Sequence, residues 1–255
     1  MKLNINCMEC FQEQGQPSLE FSSVEIRDDG LYLSTCSNGH STITVIQEQK
    51  FEVLFDIGSL ALLDGYPREA VTSIAAALER FYEFYVAVTC VKHKVDYEKF
   101  LSTWKHVSNQ SERQFGAYIF AYLMDHNGGK PPIIDETKPP LEGVAKRDIR
   151  TWKGFRNAVV HKGYIPSRVE TVAYGNIVYR HIYQLIADLQ LRSSDAMQKV
   201  VFHHIARANK AAEGKVVSTM SIPTLISLVR GEAPPESFEL ALHSIDKYRK
   251  WLHHV

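Results

Sequence analysis

Two groups of residues in this chain could do chemistry. The first is Arg156 and His161, within residues 152–167, WKGFRNAVVHKGYIPS. Imidazole moves protons near neutral pH, and a guanidinium offsets negative charge that builds on phosphate oxygens. Such a pair can cleave RNA without a metal. The histidine would move a proton to or from a ribose 2′-hydroxyl or the leaving oxygen, and the arginine would face the phosphorus oxygens. The second group is Cys7, Cys10, Cys36 and His40, in CMEC and CSNGH. Two close pairs of soft or borderline ligands suit a tetrahedral Zn²⁺, and four protein ligands leave no open position, which fits a structural ion.

The elements that must position these groups differ along the chain. Residues 1–47 alternate as strands do. SLEFSSVEIR and LYLSTC flank an Asp-Gly turn and read as a hairpin between the two ligand pairs, with STITVIQ as a further β-branched run. So short a module has little core, and a metal would supply much of its folding energy. From residue 48 to 255 the period is helical. Gly65 closes one helix, and Pro67 opens a long one through AAALERFYEFYVAVTCV. Shorter helices follow in DYEKFLSTWKHVS and SERQFGAYIFAYLMDHNGG. Next come a Pro-rich loop, a motif helix over 147–162, stretches near 168–191 and 193–213, and a C-terminal helix. The expected fold is mainly α, a helical bundle with a small N-terminal β module. Cys90 reads as a buried thiol. The run Phe81, Tyr82, Phe84, Tyr85 covers more than one helix face and reads as core plus dimer contact. His203, His204, His253 and His254 read as surface or terminal residues.

On a wheel, Ile149, Trp152, Phe155 and Val159 form the apolar side of the motif helix. Lys146, Arg150, Lys153, Asn157 and His161 form one polar, mostly basic stripe. Residues 146–168 hold seven Lys or Arg against one Asp. Lys146, Arg150, Lys153 and Lys162 are therefore the expected RNA contacts. Arg156 falls beside the apolar side, so it either snorkels or points into a cleft. Five positions set Arg156 and His161 about 140° apart on a straight helix. One helix would then serve this chemistry poorly, whereas two copies across a symmetric dimer could bring both pairs into one cleft.

The 255 residues carry no net charge, and the pI is 7.2. Polyanion binding must therefore come from a local patch. No apolar run approaches a membrane span, and the first residues lack a signal-peptide core, so a cytoplasmic protein is expected.

The segment RNAVVH, an Arg, four residues and a His with a polar residue directly after the Arg, resembles the signature of HEPN domains. The likeness covers roughly residues 50–190, in an all-α context with long preceding helices and a following HKGYIP. Members of this family with the motif are all-α bundles, typically metal-independent endoribonucleases acting as dimers in toxin–antitoxin, phage-defence and RNA-processing systems. The resemblance implies catalytic roles for Arg156 and His161, a supporting role for Asn157, and a facing acidic residue on an earlier helix, for which Glu79 is the match. It also implies RNA as substrate, a homodimer or higher homo-oligomer, no catalytic cofactor, no membrane partner, and an antitoxin or companion defence protein as possible partner. The front segment resembles a zinc ribbon, a class of modules that bind nucleic acid or protein. That segment and the helices after 193 are not part of the minimal HEPN pattern. The runner-up reading is a non-catalytic HEPN-like module that binds RNA or protein through the ribbon and the basic stripe.

Overall fold

The computed structural model describes residues 2–16, 20–134, 138–139, 149–211, 217–228 and 234–252. The chain is mainly helical and divides into two compact units. One comprises residues 1–49 with 201–223, and the other residues 50–200 with 224–255. The segmentation at residue 47 expected from sequence thus corresponds to a first unit that also recruits a distant stretch.

In the first unit, β1 (Lys2–Asn6) runs into α1 (Met8–Gln14). β2 (Phe21–Glu25), β3 (Leu31–Thr35) and β4 (Ser41–Ile46) follow. The strands do not pair as expected. β2 pairs antiparallel with β1, Leu3 opposite Val24, and β3 pairs antiparallel with β4, Leu33 opposite Ile43. The Asp-Gly segment does turn: Gly30 takes φ +67°, and Asp29 accepts the Leu31 N–H and the Arg27 guanidinium. It joins two sheets rather than two strands of one ladder. Burial decides this pairing. Leu3 and Ile5 of β1 are buried on one face, Tyr32 of β3 is buried on the face it shares with Thr42 and Thr44, and β4 is buried on both faces. A further strand, β5 (Val217–Met220, named here ahead of the helices that precede it), pairs in parallel with β4. The expectation of an all-α chain after residue 48 therefore fails at β5. His204 is also not a surface residue. Its ring is half-buried, packs over Gly30 and holds the Ile46 carbonyl through Nε2 at 3.2 Å.

The second unit is built around α3 (Pro67–Lys92). α2 (Lys50–Leu63) packs along it, and Gly58 is what lets them close: a Cβ there would stand 2.8 Å from Ile74 and 2.9 Å from the Ala70 carbonyl. α4 (Tyr97–Trp104), α5 (Ser111–Asp125) and α6 (Trp152–Lys162) also pack on α3. Enclosure by so many neighbours buries Phe81, Tyr82, Phe84 and Tyr85 within one chain, so none is left for the expected dimer contact. Tyr82 stacks on Tyr118 at 4.5 Å, and Phe51 meets Phe81 edge-on. Cys90 is only half-buried, though burial still raises its thiol pKa. α7 (Arg168–Ala211) covers both stretches expected after the motif and breaks at Ser193, where φ is −147°. The last helix is α8 (Phe238–Leu252). Two buried acids on α2, Glu52 and Asp56, accept the backbone N–H groups of Leu228 and Leu225 at 2.9 Å each. His253 and His254 lie outside the described residues. Among the described residues, no helix is long and apolar enough to cross a membrane.

Candidate functional sites

The motif helix α6 is shorter than its sequence period. Thr151 adopts extended angles, and its Oγ1 accepts the Gly154 N–H at 3.0 Å, which caps the helix and starts it at Trp152 rather than near 147. The basic stripe is cut accordingly. Arg150 is exposed but precedes the helix, and Lys146 lies outside the described residues. Lys153 is on the helix, 3.7 Å from the Glu112 carboxylate, and Lys162 is exposed in the last turn. Downstream, Gly163 takes the left-handed conformation at φ +73°, and Tyr164 N–H returns to the Ala158 carbonyl. A capping box then opens α7. Ser167 Oγ accepts the Glu170 N–H, and Glu170 accepts the Ser167 N–H at 2.7 Å. The His161 turn is thus fixed on both sides.

The apolar side seats α6 as its wheel requires, with Ile149, Trp152, Phe155 and Val159 all buried. Arg156 does not snorkel. It points at α3, where its Nη2 donates to Glu79 Oε1 at 2.5 Å. Its Nη1 donates to Asn157 Oδ1 at 2.8 Å and stands 3.1 Å from His161 Nε2. The four residues singled out from the motif and its resemblance therefore meet within one chain. The angular objection does not hold, because it compares Cβ directions. A side chain as long as arginine reaches along the helix past one turn to a ring in the last turn. The Arg156–His161 contact is a hydrogen bond only for the ring tautomer with its proton on Nδ1 and a lone pair on Nε2. The His161 ring is otherwise exposed, while the Arg156 side chain is 18% exposed.

In the first unit, Cys7 ends β1 and caps α1, Cys10 lies in the first turn of α1, and Cys36 and His40 bracket the β3–β4 turn. The Cys36 N–H bonds the His40 carbonyl, and Gly39 supplies φ +84°. The three Sγ atoms and a His40 ring nitrogen all lie within 4.8 Å of one another, a group that could hold a metal ion. Cys7 and Cys10 approach His40 Nδ1 to 3.7 and 3.2 Å, and Cys10 and Cys36 are 3.7 Å apart. The Asn38 amide donates to Cys10 Sγ at 3.3 Å. The thiols divide in acidity. Burial works against ionisation of Cys36, but the backbone N–H groups of His40 and Asn38 outweigh it and hold its pKa at about 7. Cys10 gains from the Asn38 amide but loses more to burial and to the thiols of Cys36 and Cys7, and is pushed up to about 11.

Sequence reasoning did not single out Glu13. Its Oε1 is 3.3 Å from His40 Nε2, on the ring edge away from the thiols. The available signal was its place three residues beyond Cys10 on α1, hence on the same helix face. Glu112 was also missed, since its relation to Lys153 joins α5 to α6 across the Pro-rich segment.

A scan against protein-family models, a search of curated proteins and a search of solved structures each find no match to this chain.

Proposed function

We propose that the chain is a metal-independent endoribonuclease of HEPN type, acting as a toxin or phage-defence effector. The observation that carries this reading is the Arg156 guanidinium held 3.1 Å from His161 Nε2 while Glu79 and Asn157 grip its other edges. A neutral Nε2 is what a general base requires. In the reaction, His161 takes the proton of a ribose 2′-hydroxyl. The 2′ oxygen forms a bond to phosphorus, the bond from phosphorus to the 5′ oxygen breaks, and that oxygen leaves with a proton. The products are a 2′,3′-cyclic phosphate and a 5′-hydroxyl. Nε2 takes that proton only once its lone pair has left the Arg156 N–H, and protonation then sets two cations side by side. A phosphate drawn between them relieves that repulsion, and its charge is greatest where Arg156 can meet it. A second copy of the chain in a homodimer would supply a second imidazole, so one ring could accept a proton and another donate one.

The Cys₃His group is assigned to a structural Zn²⁺. Bonds of about 2.3 Å to sulfur and about 2.0 Å to nitrogen give tetrahedral edges of about 3.8 and 3.5 Å. The separations of 3.7, 3.7 and 3.2 Å lie close to those edges. Glu13 would hold the distal edge of the His40 ring, as a carboxylate commonly does behind a metal-bound histidine. The ion neutralises thiolates and orders the β3–β4 turn, and no step of the cleavage passes through it.

A second reading, a non-catalytic HEPN-like module that binds RNA or protein, draws on the Glu79 carboxylate, which already neutralises part of the Arg156 charge.

The test is expression of wild type and His161→Ala under tight control, with host growth followed. Both purified proteins are then incubated with total cellular RNA and EDTA. Growth arrest and fragments ending in 2′,3′-cyclic phosphate, for wild type alone, are the expected result. Intact RNA with both proteins, or equal cleavage by both, overturns the assignment and leaves the binding module.

A further inference from the structure

Against the Glu79 and Asn157 side of the Arg–His cluster, the second unit has a pocket of about 100 Å³, partly open to solvent. Its walls are apolar and rich in aromatic rings: Leu78 and Tyr82 of α3, Phe115 of α5, Ile133 just beyond it, Trp152 of α6 and Tyr174 of α7. Its polar lining is not that of a packing void. Glu79, Arg156 and Asn157 are members of the cluster itself, and Glu112 stands at the rim in the first turn of α5. An occupant touching these residues lies against the groups that hold the guanidinium.

The walls and the rim together restrict what fits. Apolar, aromatic walls accept a flat ring and reject a charged one. A carboxylate at the rim accepts hydrogen bonds and cannot donate them. Glu112 keeps that form. Its own backbone N–H and the Ser111 hydroxyl bond to it and lower its carboxyl pKa, with smaller help from Lys153 and Arg156 against a modest effect of burial. Lys153 at 3.7 Å leaves the carboxylate with lone pairs to spare. Of the four RNA bases, guanine alone presents two neighbouring donors, N1–H and N2–H, that one carboxylate can take side by side.

The geometry points to a base subsite: the pocket takes a guanine of the RNA, its ring between the aromatic walls and its N1–H and N2–H edge on Glu112, beside the phosphate to be cut. This rests on the ribonuclease reading above and adds which nucleotide the site selects. Glu112 is here a specificity residue, and Ile133 at the pocket wall, itself half-buried, is a place to add bulk without opening the core.

The test titrates the full chain, in the His161→Ala background, with guanosine 3′-monophosphate and with its adenosine, cytidine and uridine counterparts. Circular dichroism confirms that each variant is folded. One bidentate base contact predicts that the guanosine compound binds at least about tenfold more tightly than the others, and that Glu112→Gln brings all four within about twofold. Ile133→Trp is expected to weaken all four. No saturable binding, or equal binding of the four that Glu112→Gln leaves unchanged, overturns the subsite. The two proposals fail separately. Selective guanosine binding by a chain whose wild type cuts no RNA keeps the pocket and removes the nuclease. Cleavage with no preference at guanine and no nucleotide binding keeps the nuclease and removes the pocket.

Discussion

Four ligand atoms converge within 4.8 Å in the first unit, and three side chains converge around Arg156 in the second, but the two clusters are stabilised differently. At Cys7, Cys10, Cys36 and His40 the neighbours are alike. The Asn38 amide favours ionisation of Cys10, but burial and the thiols of Cys36 and Cys7 outweigh it and push its pKa to about 11. Such a group could hold a cation. At Glu79, Arg156, Asn157 and His161 the neighbours are complementary. The one cation sits among an acid, an amide oxygen and a ring lone pair, and the group closes on itself. A cluster of the first kind should stabilise its fold through what it binds. A cluster of the second kind can lose a member and leave the fold standing.

The sharpest way to break this comparison is to remove the proposed Zn²⁺. A structural Zn²⁺ contributes about 10 kcal/mol or more to small domains. Strong chelation, or Cys36→Ser, is therefore expected to unfold the first unit, read as new proteolytic cleavage within residues 1–49. The second unit should keep its helical circular dichroism. Helical loss equal in both units would erase the distinction. Next in size is Arg156→Ala. Loss of one donor to a developing phosphate charge is expected to lower single-turnover RNA cleavage by about 10²–10³-fold with little change in melting temperature. A variant that instead fails to fold would show the second cluster to be structural too.

Acid probes the second unit through a buried histidine. His181 is buried against the Tyr82 hydroxyl, and burial lowers its pKa from 6.5 to about 4. Between those values the unfolded chain binds a proton that the folded chain refuses, so stability falls as pH drops from 6.5 towards 4, by up to about 3 kcal/mol. Denaturant titrations across that range should show the slope, and His181→Gln should flatten it. Back in the first unit, Glu13→Gln is expected to weaken zinc about 10–100-fold in a competition assay with a chromophoric chelator, with the fold retained when zinc is saturating. The smallest effect expected is that of Thr151→Ala, about 1 kcal/mol of stability from the lost cap, measured by denaturant unfolding. Cleavage should fall further than this stability loss implies if the cap also aims Arg156.

What the sequence made legible follows the range of the interactions involved. Gly65, Pro67 and the Cys–Cys and Cys–His spacings act over a few residues, and the boundaries and ligand set they imply match the structure. The motif side chains meet in one chain although the wheel makes a single helix a poor host for them, because a wheel records where a side chain starts and not how far arginine reaches. Thr151 as a cap was hidden by a continuous apolar period through Ile149. Strand partners were hidden for a different reason. β1 and β3 alternate between buried and exposed positions, and alternation gives a strand a buried face without saying which strand lies beside it. Glu52 and Asp56 look like surface acids until the backbone of residues 225–228 is known to end on them.

The parallel pairing of β4 with β5 also has a consequence in time. Thr44 meets Ser218 across 174 residues of chain, most of which belong to the other unit. During synthesis β4 emerges early and then waits while the whole helical region is made. For those seconds, at about 5–20 residues per second, one edge of β4 is bare. Such an edge is a template for another strand. The first unit therefore cannot finish by vectorial folding from its N-terminus, and its sheet closes only after the helical body has been translated.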